Sequence, residues 1–360
     1  MTQPSLMTQE NTSAQKEGGV LVGVVDDDSF DLHKSTSYHP ERPERLQAAR
    51  AALQGAGLRT EAVAAREATP DELARVHGGA YIEELASLVG RRAQLDADTY
   101  VAPDSVVAVR RAAGGSVDLV QGMLAGRFKR GVALLRPPGH HARPNQAMGF
   151  CLLNNVAIAA AHALSRGVSR VAIVDWDVHH GNGTQEMFFS DPRVLYTSLH
   201  QWPFYPGTGN APEIGEGEGR GYTVNIPLSQ GAHAGDYAAA FDRVLLPVLE
   251  AYRPELVLVS AGFDAHRNDP LAAMRLDAAA YGWMTARLLR MAEQTAGGRL
   301  ALFLEGGYDL GALEESLAAS LKVLGEVALP PAEPPPPEPI HEAEIKRTKK
   351  ALEGNWRVFA

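Results

Sequence analysis

A single cysteine, Cys151, stands in 360 residues, which excludes an intrachain disulfide and fits a reducing compartment. A lone thiol of this kind also serves as a small buried hydrophobe. No apolar run approaches the ~18 residues of a membrane span, so no membrane partner is expected. Residues 1–19 hold no apolar stretch of the secretory kind; no export signal is expected, and the expected location is cytoplasmic. The body of the chain has no basic block, and the formal net charge is −9. Nucleic acid, bound through its phosphates, is therefore a poor partner. An acidic surface suits approach of a cationic substrate, or serves solubility alone.

What is present suffices for a large core, since 45% of the residues are apolar, the usual share for a globular chain. Strands are predicted at 21–25, 132–135, 171–175, 194–199, 224–227, 256–260 and 300–304. Helices are predicted at 71–90, 104–125, 152–166, 236–252, 277–295 and 311–324, with one more following Tyr38 to Leu46. This alternation predicts an α/β fold, a doubly wound, mainly parallel sheet with helices on both faces. The Gly- and Pro-rich segment 201–220 reads as a long loop near the site. Residues 346–350 read as part of a solvated, basic terminal helix.

Five predicted strands run into residues that carry chemistry: R-P-P-G-H-H, D-W-D-V-H-H, S-L-H, S-A-G-F-D and E-G-G-Y. In a parallel sheet these carboxyl ends share one edge. The densest is Val171 to Gly183. Extending its strand would place Asp175, Asp177 and His179 on one face, with Trp176 and Val178 buried on the other. A D-x-D after a strand also makes a helix cap or surface turn; its four companions argue for a site.

Asp177, His179 and Asp264 are the expected ligands of one divalent metal. Two oxygens and one nitrogen leave open positions, as a catalytic zinc requires. His140 and His141 offer a general base and a general acid, with Asp175 and Asn182 as candidate orienting partners. Tyr308, behind Gly306 and Gly307, is placed to stabilise an oxyanion. Together these parts describe metal-assisted hydrolysis of an amide. Taken singly, the tandem histidines also suit a surface turn, and Tyr308 a core tyrosine. His180 and His200 read as structural.

The motifs R-P-P-G-H-H-A (136–142), M-G-F-C-L-L-N-N-V-A-I-A-A (148–160), V-D-W-D-V-H-H-G-N-G-T-Q (174–185), S-A-G-F-D-A (260–265) and L-E-G-G-Y (304–308) resemble the zinc-dependent histone deacetylase family. The likeness is to its class II-like members, including bacterial deacetylase-like amidohydrolases and acetylpolyamine amidohydrolases, from about Tyr38 to Leu324. The resemblance implies a three-layer arginase/deacetylase-like fold and one zinc per chain on Asp177, His179 and Asp264. It makes His141 the general base and then acid, backed by Asn182, and His140 an electrostatic partner paired to Asp175. Tyr308 corresponds to the transition-state tyrosine. Gly149 and Phe150 correspond to one wall of a narrow acyl-lysine tunnel, Tyr205 to the opposite wall, Gly306 and Gly307 to its lining, and Asp98 to its rim. Arg45 corresponds to the arginine of an inner acetate channel.

Structural potassium is implied on Asp175, Asp177, His179, Ser198 and Leu199, with a second site around Phe188, Asp191, Val194 and Tyr222. The implied substrate is an acetylated lysine side chain, or alternatively an acetylated polyamine or other small amine. The implied division is a disordered segment at 1–19, a catalytic domain at 20–328, and a proline-rich spacer with a C-terminal tail at 329–360. An arginase-like two-manganese reading is disfavoured, because S-A-G-F-D offers one aspartate where two metals want a close pair.

Overall fold

The computed structural model describes residues 19–326 and 338–359. The polar N-terminal segment and the proline-rich spacer, expected from the sequence at 1–19 and 330–339, lie almost wholly outside these residues. Strand β1 (Leu21–Val25) is followed by helix α1 (Glu44–Ala56) and strand β2 (Arg59–Val63). The helix expected over 71–90 is two pieces, α2 (Pro70–Leu73) and α3 (Gly79–Ser87). Thr69 and Glu72 cap the first reciprocally, and Gly78, immediately before α3, is extended beside the Asn145 side chain. A short antiparallel pair, β3 (Ala93–Gln94) and β4 (Tyr100–Val101), precedes α4 (Ser105–Leu124).

The remaining strands are β5 (Arg130–Ala133), β6 (Val171–Asp175), β7 (Val194–Gln201), β8 (Thr223–Leu228), β9 (Leu256–Ala261) and β10 (Leu300–Leu304). Between β5 and β6 lies α5 (Asn155–Ser165), and α6 (Asn182–Phe188) joins β6 to β7. The helix begins at 155 rather than 152 because the Asn154 side chain accepts the Ala157 N–H at 3.1 Å, an N-cap. The helix expected over 236–252 consists of α7 (Ala234–Ala240), a π-turn and α8 (Leu246–Tyr252). Pro247 has no N–H to return to residue 243, so the hydrogen-bond ladder must widen there. Helices α9 (Ala278–Thr295) and α10 (Leu310–Gly325) complete the body.

The eight long strands form one sheet in the order β2-β1-β5-β10-β9-β6-β7-β8, every neighbouring pair parallel. Every residue of β5 to β10 is buried, so helices cover both faces. Five consecutive strands, β5-β10-β9-β6-β7, are the ones that end in the chemically rich sequences. Their carboxyl ends therefore converge at one place.

The C-terminal residues correct the expectation of a solvated helix. Helix α11 (Glu342–Leu352) buries Ile345, Thr348 and Leu352 against the edge strand β8, and Thr348 Oγ1 donates to the Asn225 carbonyl at 2.9 Å. Its lysines Lys346 and Lys350 stay outside. Charge alone hid this face, whose buried positions recur every three to four residues. Among the described residues no helix is long and apolar enough to cross a membrane.

Candidate active site

Strand β6 stops at Asp175, so Asp175, Asp177 and His179 share a side without an extended strand. Asp175 Oδ1 accepts the Asp177 N–H at 3.2 Å, and Asp177 Oδ1 accepts that of His179 at 2.9 Å. Each carboxylate captures the amide two residues on, giving two successive Asp-headed turns. Trp176 and Val178 are fully buried and anchor the turns from behind.

Asp264 comes from the loop after β9, where its Oδ1 accepts the Val178 N–H at 2.9 Å. Asp177 Oδ2 accepts the Gly306 N–H at 2.8 Å. Only glycine fits at 306, since a Cβ would lie 2.2 Å from Asp264 Oδ2. The Nδ1 atom of His179 lies 3.1 Å from Asp177 Oδ1 and 3.1 Å from Asp264 Oδ2. One ligand atom from each of the three residues lies within 4.8 Å of the others. Two buried carboxylates around one imidazole are an excess of negative charge that a divalent cation neutralises.

The two histidines of the R-P-P-G-H-H turn have different partners. His140 Nδ1 lies 3.0 Å from Asp175 Oδ2, which also accepts the Tyr196 hydroxyl at 3.1 Å. His141 Nδ1 lies 2.8 Å from Asn182 Oδ1. Burial opposes charge on His140, but Asp175 and then Asp177 lift it to about 10. Burial pushes His141 well below its ordinary range, and the neighbouring His140 and His179 push the same way. Burial thus favours the neutral form of His141, with Nδ1–H on the Asn182 oxygen.

A cavity of about 210 Å³ opens above these groups, with His141, His179 and Tyr308 at its depth. Phe150 and Gly149 form one wall, and both hold left-handed backbone, at φ 69° and 56°. That strained turn presents the Phe150 ring edge-on to Tyr308 at 5.8 Å between centroids. The opposite wall holds two aromatic rings where Tyr205 alone was expected. Phe204 stacks on His179 at 5.4 Å, and Tyr205 stands edge-on to His141 at 5.2 Å. Leu271 completes the lining, and Asp98, in the turn of the β3–β4 pair, contributes a carboxylate.

Tyr308 is held from outside and below. Its N–H donates to Asp269 Oδ2 at 2.7 Å, and the Arg45 guanidinium carbon lies 5.0 Å from its ring centroid. Arg45 donates to the Gly307 carbonyl at 2.6 Å, beside a wholly buried cluster in which Glu41 pairs with both Arg45 and Arg136. Gly307 takes φ 116°, a conformation that favours glycine.

Ser198 pairs in register with Asp175 and lies 2.9 Å from His200 Nδ1. Phe188, Asp191, Val194 and Tyr222 gather at the start of β7, although the Asp191 carboxylate is already taken by Arg193. His180 and His200 are buried in hydrogen bonds to Thr208, Gln185, Ser198 and Gly209. Glu41, Asp269, Leu271, Phe204 and Glu305 were missed in the sequence. Glu305 lies within the L-E-G-G-Y motif and Phe204 within the Gly- and Pro-rich loop 201–220, whereas Leu271 and Asp269 carry no local signal.

The Histone deacetylase domain family matches residues 39–324. The chain belongs to the histone deacetylase family. That matched region of the histone deacetylase domain contains every cavity residue described above. Histone deacetylase 15 of Arabidopsis thaliana is 46% identical over 298 residues, covering 79% of this chain and 52% of that protein. Polyamine deacetylase HDAC10 of Homo sapiens is 42% identical over 339 residues, covering 88% of this chain and 49% of that one. The chain thus spans about half the length of these two histone deacetylase relatives. The crystal structure of the HDA15 HD domain superposes with a TM-score of 0.86 at 40% identity, covering 94% of this chain and 96% of that one. The parallel eight-stranded sheet is therefore the arginase/deacetylase-like fold.

Proposed function

We propose that this chain is a zinc-dependent deacetylase that hydrolyses the amide of an acetylated lysine side chain. The observation that carries the reading is the meeting of an Asp-His-Asp trio, a buried histidine held by Asn182 and a tyrosine around one aromatic-walled cavity. The trio fits zinc: its 3.1 Å nitrogen–oxygen separations are near the ~3.3 Å edge of a tetrahedron whose corners lie ~2.0–2.1 Å from its centre. Asp177, His179 and Asp264 would hold the ion. Zinc bound there supplies Lewis acidity toward the acyl carbonyl and toward water.

The protein's own groups do the rest. His141 Nε2 takes the proton from the attacking water and later gives it to the leaving amine. Asn182 holds that ring in the required tautomer, and Asp175 holds His140 beside it. The Tyr308 hydroxyl donates to the carbonyl oxygen as negative charge develops on it. Phe150 with Gly149 on one side, and Phe204 with Tyr205 on the other, hold an alkyl chain and exclude water. Asp98 at the rim accepts substrate N–H groups, and Arg45 below Tyr308 receives the released acetate. Potassium on the Asp175, Asp177, His179, Ser198 and Leu199 group would brace the same turns.

A second reading is deacetylation of an acetylated polyamine, favoured by the 42% identity to polyamine deacetylase HDAC10. Acetate release from an acetyl-lysine peptide and from N-acetylputrescine, compared on the purified protein, tests both. A higher kcat/KM on the peptide supports the first reading. A higher value on the diamine supports the second, and no release from either sinks both.

A further inference from the structure

Glu305 is the residue immediately after β10, the strand that lies between β5 and β9. Its side chain is 1% exposed and touches all three strand ends. Oε2 accepts the N–H of Gly139 at 2.6 Å and that of His140 at 3.2 Å. Oε1 accepts the Ser260 hydroxyl at 3.2 Å, at the end of the strand that leads to Asp264. Its backbone is tied as well: the N–H donates to the Ala261 carbonyl at 3.1 Å, and its carbonyl accepts Arg45 at 2.5 Å.

Among the described residues no cationic side chain pairs with this carboxylate. Burial pushes it up to about 7, more than His140 and the Gly139 amide pull it down. A buried carboxylate that no cation contacts directly is costly, and an apolar residue of similar size would serve packing better. What the carboxylate uniquely does is hold two consecutive amides of the histidine turn. Tyr308 lies three residues further along the same backbone, so one residue is the common origin of both sides of the cavity.

We propose that Glu305 is a positioning residue that sets the His140–His141 turn at its working distance from Tyr308. The proposal rests on the roles given above to His141 and Tyr308. Glutamine keeps the reach: its carbonyl oxygen accepts both amides, and its NH₂ donates to Ser260. Aspartate keeps the charge but falls one methylene short.

The test is steady-state kinetics of E305Q and E305D on the acetyl-lysine peptide, with a crystal structure of each. The expected result is E305Q within about threefold of wild type, and E305D reduced in kcat on the order of 10²-fold with KM within about threefold. Aspartate outperforming glutamine, or both matching wild type, overturns the proposal. If E305D does not fold, E305Q decides: near-native kcat with both amides on the glutamine oxygen supports it, and a loss above about tenfold overturns it. A wild type without turnover sinks the functional reading instead. The E305D structure then decides, and a 139–141 turn displaced by less than about 0.5 Å overturns the inference.

Discussion

The Nδ1 nitrogen of His141 donates to Asn182 Oδ1 across 2.8 Å. A neutral amide fixes the ring without lending it charge, whereas the carboxylate of Asp175 lends charge to His140. Replacing Asn182 by aspartate gives His141 an ionic partner and raises its pKa. His141 must be neutral to accept a proton, so the acid limb of the kcat/KM profile is expected to move to higher pH. An acid limb that stays in place, or moves down, would remove His141 from the role of base.

Tyr308 should matter to turnover rather than to binding. Its hydroxyl reaches into the cavity while its backbone is fixed by Asp269. Y308F keeps the ring that packs against Phe150 and loses only the donor. The expected cost is on the order of 10²-fold or more in kcat with little change in KM. A near-native kcat would refute the assigned role.

The strand ends were the most legible feature of the sequence. Short apolar runs followed by Asp, His, Gly and Tyr announced both the sheet and the edge at which the site forms. Less legible was the manner of arrival at His179, where Asp-headed turns replace an extended strand. Side-chain-to-backbone hydrogen bonds of that kind leave no mark on hydrophobic periodicity. Glu41 was hidden for another reason, because an E-R-P-E-R run reads as an exposed helix start until Arg136, 95 positions away, is seen to close on it. The burial of α11 was masked by its lysines and arginine, and only contact with β8 shows which face is inside.

Glu41 links stability to acid. Burial alone would raise its pKa, but Arg136, with His33 and Arg45, brings it from 4.5 to about 2. A carboxylate depressed in the folded state stabilises fully above its unfolded value and loses that contribution as pH falls through the folded one. E41Q leaves two buried guanidinium groups short of charge, at a cost of about 3–5 kcal/mol near neutrality. The stability gap between wild type and E41Q, measured by urea unfolding, should therefore narrow as pH drops from about 4.5 toward about 2. A gap that is constant across that window would show that the pairing is not ionic.

The C-terminal helix belongs to the domain's core energetics. Leu352 is fully buried, and Trp356 donates its indole N–H to the Gly221 carbonyl at 2.8 Å. L352A is expected to cost about 2–5 kcal/mol while leaving turnover unchanged, as read by denaturant unfolding and by kinetics. Unaltered unfolding would mean that α11 detaches freely in solution.

The most direct measurement is the metal content of the purified chain by inductively coupled plasma mass spectrometry, in wild type and in D264A. One zinc per chain is expected in wild type, and almost none in D264A, which lacks one of the three proposed ligands, Asp177, His179 and Asp264. Two metal ions per chain, or a full complement of zinc retained by D264A, would contradict a single centre built on Asp177, His179 and Asp264.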